Sequence, residues 1–321
     1  MLYDTSKKFP REIRINEKQL NELLIHEKLH YNYDIEPFLD EAMSVLNDRI
    51  SNTLKQLRKN KLESYEETFN VPIKNSKYTD NIEFTIKYDM FIDTNKVNKS
   101  TASYYNENPE INRKTGKMRY PTITVKLPFN NMYYYDRLLL KSAVSHELTH
   151  LIDDYEEIIR GNTPINYRKM PLTIKTMSEL RDDNKLYNAL FMLLYTGYEF
   201  EKKAFINQAY NDLQRVGCNP YNYKEVYKKT DPYITYTNMY NKSINIIQNA
   251  SDKELEELNF VLNTAYTNHD MPRMNIGYFT ADEYREKLIN MAKKIRHDFM
   301  KKYGGIITAY LEDFNSKFIT I

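Results

Sequence analysis

Apolar positions along this chain recur with two periods, and the changes from one to the other divide it. Residues 11 to about 63 carry them at helical spacing. Leu20, Leu23 and Leu24 mark one amphipathic helix; Phe38, Leu39, Ala42, Val45, Leu46, Ile50 and Leu54 mark another, with Pro37 in its first turn. The polar stretch from Asn70 to Asp80 predicts a loop. Period two then takes over. Ile82, Phe84, Ile86 and Tyr88 alternate with Glu83, Thr85 and Lys87, and Ile123, Val125 and Leu127 alternate with Thr122, Thr124 and Lys126. These are two half-buried strands. Between them Asn95 to Lys117 is polar, with Asn-Pro and Thr-Gly turn signals, as expected of a long loop or a ragged hairpin.

Helical spacing returns at Asp136, a good N-cap. The helix it opens runs through Leu139, Ala143, His146 and His150 to about Arg160, with Gly161 as the stop. After a loop punctuated by Pro164 and Pro171, a helical region extends from about Thr176 to Val216, with a break expected near Gly197. Further helices follow Pro220, notably over 252–267 and 281–301. The order of elements predicts an α+β chain in three parts: an N-terminal helical region over 1–80 packed on the core, a central unit over 81–216, and a C-terminal helical region over 217–321. No repeat or low-complexity linker separates them.

Composition narrows the partners. The chain has 321 residues, long enough to bury a sizeable core. Its 46 basic and 44 acidic residues leave a net charge of +2, so no field for nucleic acid or a membrane surface is expected. No apolar run approaches the roughly 20 residues of a membrane helix. The first residues carry no apolar segment of a secretory signal. A cytoplasmic or otherwise non-secreted location is therefore expected. The single cysteine, Cys218, excludes an internal disulfide and is expected to be inert core. Abundant tyrosine (29 residues), asparagine and lysine fit an AT-rich coding genome, such as a low-GC bacterium or its phage.

Chemistry concentrates in Ala143-Val144-Ser145-His146-Glu147-Leu148-Thr149-His150-Leu151-Ile152. Histidines four apart on a helix leave the same face one turn apart. That spacing suits two nitrogen ligands of one zinc ion. Glu147 lies beside them, where a carboxylate can take a proton from a metal-bound water. The flanking residues are uncharged, as a helix packed on all sides requires. A second string of the same form, His26-Glu27-Lys28-Leu29-His30, carries a charge at its first variable position and follows an ordinary amphipathic helix. A solvated polar face accounts for it.

Two histidines need a third protein ligand, leaving the fourth position to water. The position six beyond His150 is Glu156, so there is no third histidine at close spacing. A downstream carboxylate is expected. Glu201 ranks first, because Ala204, Phe205, Gln208 and Ala209 place it on an inward, mostly apolar stripe, where a metal would account for a buried carboxylate. Glu179, in Ser178-Glu179-Leu180-Arg181-Asp182-Asp183, ranks second. Glu199, with Lys202 and Lys203 as helical neighbours, ranks third. Asp153 or Asp154 could orient a ligand imidazole or simply face solvent. The residue that would stabilise an oxyanion is a tyrosine or histidine, His269 among them.

His146-Glu147-Leu148-Thr149-His150 with Asp154-Tyr155 resembles the HELTHxxxDY stretch of thermolysin, and Glu201-x-x-Ala204 is similar to the third-ligand helix of other zincins. The Asn-Glu pair that thermolysin carries soon after its second histidine is absent here. The resemblance, confined to two helices, is to gluzincin-type HExxH zinc metallopeptidases. It implies a zincin-like catalytic core, a small mostly antiparallel sheet plus the HExxH helix, with additional N- and C-terminal helices. It implies a hydrolase, a protease dependent on Zn2+ held by His146, His150 and Glu201. That enzyme would cut a peptide or protein substrate through a zinc-activated water with Glu147 as general base. The alternative is a catalytically inactive zincin-fold binding or structural protein.

Overall fold

A computed structural model describes residues 35–74, 76–90, 101–105, 110–130, 132–161, 177–182, 184–267 and 279–319. The expectations for residues 11–34, including His26 and His30, and those for Pro164, Pro171 and His269, lie outside these residues.

Helix α1 (Ile35–Asn60) has Pro37 and Glu36 in its first turn and Arg58 and Lys59 in its last, each suited to the helix dipole there. Its stripe of Phe38, Leu39, Ala42, Leu46, Ile50 and Leu54 is buried. Four strands form one sheet in the order β1-β2-β4-β3. They are β1 (Ser64–Pro72), β2 (Asn81–Met90), β3 (Thr101–Tyr105) and β4 (Thr122–Phe129). β1 pairs antiparallel with β2, from Ser64 opposite Asp89 to Pro72 opposite Asn81. β2 and β4 run parallel, and β3 lies antiparallel to β4 at the edge. Two of the three pairings are thus antiparallel. The alternation read from β2 and β4 is the observed burial: Ile82, Phe84, Ile86, Tyr88, Ile123, Val125 and Leu127 all face the core.

Two elements were not expected. β1 follows the stretch of helical spacing that ends at about residue 63 and takes in the first residues of the expected Asn70–Asp80 loop. Its inward position at Glu67 breaks the alternation, because a carboxylate stands where a hydrophobe would. Glu67 accepts from Thr53 Oγ1 at 2.7 Å, from the Tyr88 hydroxyl at 2.7 Å and from Arg49 Nε at 2.9 Å. The second is β3, inside the stretch read as a long loop or a ragged hairpin, where no strand was placed. Ser-Tyr-Tyr in a polar context gives an edge strand little alternation to display.

Helix α2 (Arg137–Ile159) begins where expected: Asp136 accepts from the N–H groups of Leu138 and Leu139, both at 3.0 Å. Gly161 follows it with φ +76°, a left-handed stop. The long helical region after it is two helices, α3 (Lys185–Gly197) and α4 (Glu199–Arg215), parted at Tyr198, where ψ is 137°. Gly197 is needed there for space: a Cβ would stand 2.9–3.0 Å from three side-chain carbons of Ile295. After the short α5 (Tyr223–Val226) come α6 (Asp231–Asn249), α7 (Asp252–Thr267) and α8 (Ala281–Ile319). α8 runs well past the expected end at 301, straight through Gly304 and Gly305. Burial of Phe299, Tyr303, Ile306 and Ile307 outweighs the poor helix propensity of the glycine pair.

The core has two clusters. One joins the sheet with α1, α2, α4 and the second half of α8. The other joins α3, α6, α7 and the first half of α8. Cys218 is buried in the first. Among the described residues no helix is long and apolar enough to cross a membrane.

Candidate metal centre

Helices α2 and α4 pack together beside the edge strand β3. The contact is made by polar side chains as well as apolar ones. Asn211 donates to Ser145 Oγ and Asn207 donates to Thr149 Oγ1, both at 3.0 Å, and Thr149 Oγ1 donates back to the Ser145 carbonyl at 2.9 Å. Asn207 and Asn211 are buried and four residues apart. Those two buried amides lock the two helices in one rotation about their axes, and so fix which side chains face each other.

That rotation brings His146 and His150 from α2 to Glu201 from α4. All three are buried, and one ligand atom from each lies within 4.8 Å of the others. His146 Nε2 stands 3.5 Å from Glu201 Oε2, and His150 Nε2 stands 3.5 Å from Glu201 Oε1. A hydrogen bond between such groups is about 2.9 Å. Two donors bound at roughly 2.0–2.2 Å to one tetrahedral zinc stand about 3.3–3.6 Å apart. Both distances therefore match two ligands of a shared ion better than a hydrogen bond. The imidazoles cross edge to face at 4.8 Å, and Phe205 packs edge-on against His146 at 4.9 Å, closing one side.

The electrostatics are those of a tightly coupled buried group. Burial works against a charged His146, but the adjacent carboxylates of Glu201 and Glu147 outweigh it and hold the ring above its ordinary value. Burial, and then the neighbouring His146, push His150 down to about 3. Burial opposes ionisation of Glu201, yet the adjacent imidazoles of His146 and His150 and hydrogen bonding from Tyr195 hold its carboxyl below the usual glutamate range. Burial raises Glu147. Its Oε2 accepts from the main-chain N–H of Tyr104 on β3 at 2.6 Å.

The other candidates are placed elsewhere. Glu179 is exposed and outside the group; the side chain of Glu199 is outside the described residues. Asp153 and Asp154 are both buried, which removes the reading of a solvated acidic face. Asp153 pairs with Lys203 of α4, so it clamps the two helices together. Three contributors were not foreseen. Asn207 and Asn211 fall outside the stripe of Ala204, Phe205, Gln208 and Ala209 read from the sequence; Tyr104 acts through its main chain and leaves no mark in the sequence. Comparison with protein-family models, curated proteins and solved structures found no match to this chain.

Proposed function

We propose that the chain is a zinc-dependent metallopeptidase with a zincin-like core. The observation that carries this is the pair of 3.5 Å separations between Glu201 and the two imidazoles, with Glu147 on the next residue of the same helix. His146, His150 and Glu201 would hold the ion, the two histidines as neutral donors and Glu201 as carboxylate. The chemistry such an ion supplies is Lewis acidity toward a water and a scissile carbonyl.

The remaining roles belong to this chain's own groups. Glu147, raised by burial, is suited to take a proton from water and return it to the leaving amine. Tyr104 N–H holds its carboxylate against the edge of the sheet. β3 is that edge, and an extended peptide pairing along it would carry its main chain past Glu147.

Zinc per chain, measured by elemental mass spectrometry on wild type and Glu201→Ala, tests the ligand set. About one ion in the first and loss in the second is expected. Peptide hydrolysis by Glu147→Gln tests the chemistry: zinc should stay and turnover should vanish. Zinc bound by a wild type that cleaves no peptide library would favour an inactive binding scaffold.

A further inference from the structure

Three large apolar side chains are exposed in one place. Met132, Tyr134 and Leu138 are 77, 65 and 41 % exposed. All three line a groove of about 800 Å3 between the C-terminal half of α1 and the turn into α2. Lys55 and Arg58 of α1 and Arg137 of α2 line the same groove. Among the described residues none of these cations has an ion-pair partner; Arg137 donates to Ser51 Oγ at 3.4 Å and lies beside the Tyr135 hydroxyl. The acid in the lining, Asp136, already accepts two main-chain N–H groups as the cap of α2.

The apolar side is held rigidly. Asn130 Oδ1 accepts from the N–H groups of Met132 and Tyr134 at 2.9 and 3.0 Å, and Asn130 N–H donates to the Tyr134 carbonyl at 3.0 Å. Tyr133 has φ +60°, a left-handed conformation that a non-glycine residue keeps only where its surroundings impose it. Its ring stacks on Phe129 at 5.4 Å, and so Met132 and Tyr134 on either side point outward. Contiguous exposed apolar surface rimmed by charge marks an interaction site.

We infer that this groove docks a protein segment in which acidic residues flank a large apolar side chain. The acids meet Lys55, Arg58 and Arg137, and the apolar side chain covers Met132, Tyr134 and Leu138. A nucleic acid fits less well: three cations neutralise few phosphates, and the net charge of the whole chain is only +2. Leu138 lies eight residues before His146 on α2, about 12 Å at 1.5 Å per residue, so a docked segment would lie near the metal group. The docking itself does not depend on the peptidase reading.

Fluorescence anisotropy with the full chain tests it. The probe is a labelled synthetic peptide, Glu-Asp-Leu-Tyr-Glu-Asp, compared with Lys-Lys-Leu-Tyr-Lys-Lys and Glu-Asp-Gly-Ser-Glu-Asp. The first should bind, and more weakly as salt is raised; the other two should bind at least about tenfold less. The double variant Lys55→Glu, Arg58→Glu should lose about tenfold or more while its circular dichroism spectrum and unfolding midpoint stay those of wild type. Should the reversed pair unfold, Lys55→Gln with Arg58→Gln carries the same expectation. No binding of the acidic probe, equal binding by the variants, or tighter binding of a thymidine oligonucleotide would each overturn the inference.

Discussion

The carboxylate of Glu147 accepts the main-chain N–H of Tyr104 at 2.6 Å, tying the residue after the first histidine to the edge strand of the sheet. One acid thereby joins the candidate metal group to the edge strand of the sheet.

This relationship has a pH signature. Burial raises Glu147 from the ordinary 4.5, and the Tyr104 N–H pulls it partly back. A base works only when ionised, so hydrolysis is present above its pKa and lost as pH falls through it. The acid limb of kcat/KM should lie above 4.5. Tyr104→Pro removes the donor and should move that limb to still higher pH, whereas Tyr104→Phe, which keeps the N–H, should leave it in place. A limb that does not move in the proline variant would exclude Glu147 as the titrating base.

Zinc binding should carry the opposite partner's proton. His146 is held above its ordinary value, so binding must displace its proton, and affinity should strengthen as pH rises through that pKa and weaken as it falls. Calorimetry in buffers of different ionisation enthalpy should report proton release on the acid side. An affinity that stays flat from about pH 5 to pH 8 would contradict this ligand set.

Zinc should also stabilise the fold. At a hundredfold excess over Kd, a ligand that binds only the native state adds about 2.7 kcal/mol. The resulting rise in Tm should be present in wild type and in Glu179→Ala, and absent in Glu201→Ala. A rise lost in Glu179→Ala would move the third ligand.

Beneath the sheet, Glu67 bridges α1 to β2 through Thr53, Arg49 and Tyr88. Burial, and then the Glu67 carboxylate, raise the Tyr88 hydroxyl well above its ordinary pKa, so it stays a donor. Glu67→Ala leaves Thr53 and Tyr88 without their acceptor and should cost about 2–4 kcal/mol in urea unfolding. Glu67→Gln, which keeps an acceptor oxygen, should cost less than half of that.

At the break between α3 and α4, Gly197→Ala forces a methyl group against Ile295. Overpacking of this kind costs about 1–3 kcal/mol. Ile295→Ala in the same chain should recover most of the loss, a coupling that a double-mutant cycle measures. Additive effects would mean that Gly197 is required for its backbone and not for space.

Periodicity located β2, β4 and α1, because each puts one continuous apolar face toward the core; the HExxH helix, packed on nearly all sides, was located by its motif and by Asp136 and Gly161 at its two ends. Spacing left no third histidine at the close position, and the inward stripe ranked Glu201 first among the downstream carboxylates. β1 escaped notice because Glu67 satisfies its charge through residues from α1 and β2, distant in sequence. The end of α8 was misjudged because its two glycines weaken a helix that tertiary burial restores.

What local pattern could establish was therefore the pair of histidines, whose common face follows from 3.6 residues per turn. Which carboxylate meets them could not follow from any local rule. It depends on the rotation of α4 against α2, set by Asn207, Asn211 and the Asp153–Lys203 pair. The edge position of β3, and with it the hydrogen bond from Tyr104 to Glu147, is likewise a property of sheet order. Main-chain groups are the same in every residue but proline, so only the folded chain decides which of them reaches the site.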